Sequence, residues 1–165
     1  MSETWIVNAS PVIALAKAGY IEVLTQLNRE VVLPQPVVDE IIAGYSEDPA
    51  RKLIESGWGA RVVPRQIAPE LMEWALGPGE TSVLALALEH APAVAVLDDA
   101  AARNCAKVIG VPVIGTLGVI IRAKNHGVLT SAAEAMTALR NAGLYLDDHT
   151  IRRALHSVGE VWKPV

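Results

Sequence analysis

One cysteine stands in 165 residues, which excludes an internal disulfide and a zinc site built on cysteine. It is Cys105, on an apolar helical stretch where a thiol serves as buried filler. Phenylalanine is absent and tyrosine occurs three times, so base recognition on an aromatic sheet platform is not expected. The four histidines, His90, His126, His149 and His156, show no metal-ligand spacing. No uninterrupted apolar run reaches the about 18 residues of a membrane helix. The N-terminus also lacks the basic, apolar and small-residue order of a signal peptide, so a cytoplasmic protein without a membrane span is expected. The glycines at 77–79 and 115–118 are too few and wrongly placed for a phosphate-binding loop.

What is present is apolar: 52% of residues are hydrophobic and 19% charged. That balance suits a sheet buried on both faces, with apolar surface to spare for an oligomer interface. The length suits a single domain, 1–165, that buries roughly two thirds of its unfolded surface. The net charge of −4 is unevenly spread, with fourteen acids against six Lys/Arg over 1–102, and eight Lys/Arg against four acids beyond. An acidic first part and a basic remainder allow an acidic, metal-binding pocket beside a surface that tracks a phosphate backbone.

Along the chain, strands alternate with helices. Apolar runs predict strands at 5–7, 30–34, 60–64, 93–97 and 110–114, and their alternation with helices predicts a parallel α/β sheet. Ser10 is expected to cap the first helix, with Pro11 at its first position. Helices are further expected at 21–27, from 36 to the stop at Gly44, near 50–56, at 69–76, and at 80–89 after Gly77-Pro78-Gly79. The later ones run over 100–109, 116–125, 130–141 and 148–157. The 80–89 segment is apolar almost all round, which marks a buried helix with Glu80 at its N-terminus. Trp162 either anchors a partner or closes the core.

Asn8 and Asp98 end apolar strands, the place where ligands collect in an open parallel sheet. Asp98-Asp99 could be a helix cap and no more, since Leu146-Asp147-Asp148 repeats the tripeptide of 97–99 before another helix with no strand ahead of it. The strand run before 98 is the difference, and it brings the carboxylate to the sheet terminus. Glu40 lies on the helix after the second strand. Together with Glu80 these side chains form a widely spaced acidic set, which calls for a hard cation such as Mg²⁺ or Mn²⁺ bound through oxygen. Arg103 and Lys107 lie four apart on one helix face and are candidates for RNA phosphate contacts, as are Arg122 and Lys124 on the next helix.

The order Ile6-Val7-Asn8-Ala9-Ser10-Pro11, Val37-Val38-Asp39-Glu40-Ile41, Gly77-Pro78-Gly79-Glu80, Leu97-Asp98-Asp99 with Ala102-Arg103, and Gly110-Val111-Pro112-Val113-Ile114-Gly115-Thr116-Leu117-Gly118 resembles the PIN-domain superfamily. The likeness spans about 5–125 and is nearest a prokaryotic branch related to VapC-type toxins, in which a helical extension, here about 126–165, follows the core. The resemblance implies a three-layer α/β/α sandwich with a parallel five-stranded sheet in the order 3-2-1-4-5. It further implies metal-dependent cleavage of RNA, with Asn8, Glu40, Glu80 and Asp98 as metal ligands and Asp99 as the alternative fourth acid. Ser10, Arg103, Lys107 and Thr116 would meet substrate. A cognate antitoxin, a homodimer and a toxin role follow from the same likeness.

The chain departs from that pattern at Asn8, where the family commonly has Asp. An amide oxygen can coordinate Mg²⁺ but brings no charge. A PIN-like RNA- or protein-binding module that has lost catalysis is therefore the second reading. A receiver-like phosphotransferase built on Asp98-Asp99 is the third.

Overall fold

The computed structural model describes residues 3–27 and 30–163. Its first strand, β1 (Thr4–Val7), forms because Trp5, Ile6 and Val7 are apolar in succession. All three are fully buried, each removal from water being worth about 1.5–3 kcal/mol. β1 pairs in parallel with β2 (Glu30–Pro34) on one side and β4 (Ala93–Val96) on the other. β3 (Ala60–Val62) and β5 (Val113–Ile114) form the edges. The order β3-β2-β1-β4-β5 is the one the resemblance implied, and it differs from the 2-1-3-4-5 order of receiver-type sheets. That removes the fold basis of the phosphotransferase reading.

Right-handed crossovers put the connections β1 to β2 and β2 to β3 on one face, and those from β3 to β4 to β5 on the other. The first group holds α1 (Ala9–Ala18), α2 (Glu22–Gln26), α3 (Gln35–Ile42) and α4 (Pro49–Glu55); the second holds α5 (Pro69–Met72), α6 (Pro78–Glu89) and α7 (Ala100–Ile109). α6 is the buried helix expected from its composition, packed on β1, β2 and β4. After β5, α8 (Thr116–Asn125), α9 (Ala132–Asn141) and α10 (Asp148–His156) continue the first layer, with α9 against α1 and α8 against α2. Their Ala132, Met136, Leu139, Ile151 and Leu155 join the same buried core as β1.

Several boundaries differ from the sequence expectation, each for a local reason. The fifth strand begins at Val113, not at Gly110, because Gly110 closes α7 in the left-handed conformation (φ 80°) that glycine adopts freely. The third strand stops at Val62, two residues early, ahead of Pro64. The helix at 69–76 is a single turn ending at Met72. Ser10 does not cap α1: Asn8 is the N-cap residue, Ser10 is exposed at the second helical position, and Pro11 is third. A proline there still costs nothing, because the amide it lacks would have had no partner within the helix.

The C-terminal stretch closes the core. Trp162 is 8% exposed, with the Arg140 guanidinium 5.2 Å from its ring centre. Glu160 accepts hydrogen bonds from the first amides of α9, Ala132 at 2.8 Å and Ala133 at 3.1 Å, and pairs with Lys124 at 3.2 Å. Cys105 is buried, and burial pushes its thiol up. Among the described residues no helix is long and apolar enough to cross a membrane.

Candidate active site

Every strand is parallel, so one end of the sheet carries all the strand-to-helix turns. Asn8 sits there because β1 ends at Val7 and the Asn8 amide makes one more ladder bond, to the Val96 carbonyl at 3.1 Å. It is 6% exposed and its side chain does not cap α1. Its Oδ1 is buried and has no hydrogen-bond partner among the described residues. Leaving such an atom orphaned costs about 1–3 kcal/mol.

Gly79 explains where that oxygen points. A β-carbon added to Gly79 would lie 3.0 Å from Asn8 Oδ1 and 3.2 Å from Glu40 Oε2. The absence of a side chain at 79 therefore lets a strand-end amide and a helix-borne carboxylate face one small volume. Glu40 reaches it from α3, whose buried Val37, Val38 and Ile41 fix the helix and leave Glu40 on the open side. Asp39 beside it is held by Gln35 Nε2 at 2.8 Å. Two oxygens lying close to one point, one of them without a hydrogen-bond partner among the described residues, form an arrangement that a hard cation would complete.

Glu80, third in α6, lines a cavity of about 450 Å³ together with Pro36, Asp39, Glu40 and Gly77 to Gly79. Its Oε2 turns back over the N-cap residue, 2.7 Å from a β-carbon built on Gly77. A carboxylate in the first turn is favoured there by the helix dipole.

Asp98 has a different environment. Thr116 gives it two hydrogen bonds, from the amide to Oδ1 at 2.8 Å and from Oγ1 to Oδ2 at 2.6 Å. Thr116 opens α8 and is fully buried, so Asp98 satisfies a first-turn amide of a helix other than its own. Asp99 does the capping of α7, accepting from Ala102 at 3.0 Å. The repeated tripeptide is used in another register: Asp147 caps α10, and Asp148 pairs with Arg140 at 2.5 Å. That pairing holds the Asp148 carboxyl below its ordinary range.

Arg103 Nη1 donates to the Leu97 carbonyl at 3.0 Å, and with Asp98 Oδ1 it crowds the backbone of Gly115. Lys107 is exposed in the last turn of α7, at the far end of that helix from Asp98. Arg122 lies over Trp5 and 3.6 Å from Glu3; Lys124 donates to the Thr130 carbonyl. Both side chains thus have partners within the chain.

Among the described residues, no three His, Cys, Asp or Glu side chains converge closely enough to hold a metal ion. Position 8 supplies an amide, Glu80 leans on its own helix start, and Asp98 is committed to Thr116. The structure brings Asn8 and Glu40 together at Gly79, sets Glu80 with Glu40 on the wall of one cavity, and leaves Asp98 beside Arg103. Sequence reasoning treated Gly79 only as a helix breaker. The available signal was a glycine directly before Glu80 at the start of a helix whose body is buried.

No curated protein matches this chain. A family model described as a PIN domain matches residues 4–160, nearly the whole chain. With the fold and the polar cluster at the carboxyl ends of β1 and β4, the match shows that the chain belongs to the PIN-domain family, whose members are typically nucleases and generally use divalent metal ions.

Proposed function

We propose that this protein is a metal-dependent endoribonuclease that hydrolyses phosphodiester bonds of RNA. The observation that carries this reading is the buried, unpartnered Asn8 Oδ1 set against Glu40 Oε2 over Gly79. Asn8 and Glu40 would hold Mg²⁺ or Mn²⁺ there, and Glu80, on the cavity wall beside Glu40, and Asp98, at the neighbouring strand end, would have to turn toward the ion to serve as further ligands. When bound, such an ion supplies a water of lowered pKa and offsets charge on the phosphate oxygens. The chain's own residues do the rest. Asp98, aligned by Thr116, holds its carboxylate at the strand end; Asp99 fixes the start of α7; and Arg103 presents a cation to the RNA phosphate. Ser10, exposed in the first turn of α1, and Lys107 further along α7 extend the polar surface.

The reading includes a single domain over 1–165, with the core at about 5–125 and the helical extension beyond. The C-terminal helices share the sheet's buried core, which supports it. It also includes the VapC-related branch, a toxin role with a cognate antitoxin, a homodimer and a cytoplasmic location. Exposed apolar residues such as Ile42, Tyr45, Val63 and Met72 are available for protein partners.

The test is cleavage of single-stranded RNA with Mg²⁺ or Mn²⁺ by the wild type and by Asp98→Asn. Loss of cleavage in the variant is expected; equal activity in both overturns the assignment. A specific observation favours a second reading, an RNA- or protein-binding module without catalysis: the amide at position 8 and the double engagement of Asp98 leave few free charges. That reading is favoured if neither the wild type nor Asn8→Asp binds Mn²⁺.

A further inference from the structure

A second cavity of about 450 Å³ opens beside Asp98, between the start of α8 and the loop from α9 to α10. Its walls are apolar, from Val113, Leu117, Leu144 and Leu146, and Arg103 and Asp98 line one end. Tyr145 is on the lining and 89% exposed. Its volume lies within the range of small-molecule sites.

Three observations bear on the occupant. Arg103 makes no ion pair among the described residues, its one hydrogen bond going to a neutral carbonyl, so a cation stands ready for an anionic group. Asp98, at the carboxyl end of β4, lines the cavity and so places it at the strand-end face of the sheet. And an exposed tyrosine, Tyr145, lies on a largely apolar lining, the kind of residue on which single-stranded bases stack without sequence readout. A flat ring joined to a phosphate satisfies all three.

We propose that this cavity is a nucleotide subsite: one unpaired base of single-stranded RNA stacks on Tyr145 while Arg103 takes its phosphate, setting which phosphodiester reaches Asn8 and Glu40. The inference rests on the ribonuclease reading and adds to it a position for the strand.

The test is fluorescence anisotropy with a short labelled single-stranded RNA, divalent ions chelated so that nothing is cut. Tyr145→Ala should weaken binding about tenfold, the effect of losing one stacked base. Tyr145→Phe should keep wild-type affinity, since the ring remains. An abasic scan of the RNA should find one position whose loss weakens the wild type by the same factor and leaves Tyr145→Ala unchanged. Wild-type affinity in Tyr145→Ala overturns the proposal and leaves the cavity to a segment of a protein partner. If the RNA is also cleaved in Mn²⁺, only the subsite has failed. If the wild type neither binds nor cleaves RNA, the subsite falls together with the reading beneath it.

Discussion

Thr116 and Asp98 are joined twice, the backbone amide and side-chain hydroxyl of one residue taking the two carboxylate oxygens of the other. The pair locks the end of β4 to the start of α8, so the strand-end carboxylate has a fixed orientation before any ligand arrives.

Replacing Thr116 by Val removes one of those bonds in a buried setting. We expect a loss of about 1–3 kcal/mol in denaturant unfolding, the usual cost of a hydrogen bond to a charged group. Thr116→Ser, which keeps the hydroxyl, should recover most of it. A Val variant as stable as the wild type would show that the second bond contributes nothing.

Gly79→Ala puts a methyl group where Asn8 Oδ1 and Glu40 Oε2 face each other. Helix propensity favours alanine by about 1 kcal/mol, so the variant should melt near the wild-type temperature. Mn²⁺ affinity, measured by calorimetry, should fall at least about tenfold, the scale of losses when metal surroundings are disturbed. Unchanged affinity would place the metal elsewhere.

Asn8→Asp supplies the charge the site lacks. Mn²⁺ should bind at least about tenfold tighter, and, because only the folded state binds, added Mn²⁺ should raise the melting temperature more than it does in the wild type. The same thermal shift in both proteins would show that residue 8 is not a ligand.

Glu160 gives a pH-dependent contribution. Burial pushes its carboxyl up, but the Ala132 and Ala133 amides and Lys124 outweigh that and hold it below its ordinary range. A depressed folded-state pKa means the stability is fully present above the unfolded value, about 4.5, and is lost as pH falls through the folded one. Glu160→Gln should therefore cost about 2 kcal/mol at pH 7. In urea unfolding the gap to the wild type should narrow as the pH drops below 4.5.

The parts of this molecule that could be read from its residues are those governed by neighbours in sequence. Trp5 to Val7 and Ala93 to Val96 read as buried strands because nothing polar interrupts them. α7 read correctly at both ends because Asp99 and Gly110 are a capping acid and a left-handed stop. Contacts between distant segments were less accessible. Asp98 caps α8, eighteen residues on, and no local pattern distinguishes that from capping its own helix. Tyr145 sits in a loop without periodicity, and its place on the cavity that Arg103 also lines depends on how α9 and α10 pack. The low aromatic count was true of the chain and uninformative about one cavity.

The strand order also bears on synthesis. β1 is made first but lies between β2 and β4, so its second neighbour leaves the ribosome only after Val96. Until Val96 has been made Asn8 lacks the β4 carbonyl that its amide bonds, and until Thr116 has been made Asp98 has no partner to orient it. A nascent chain that stalls in its first half therefore carries the apolar strands without an assembled site. The polar cluster at the strand ends is therefore assembled only once β4 and the start of α8 have both been made.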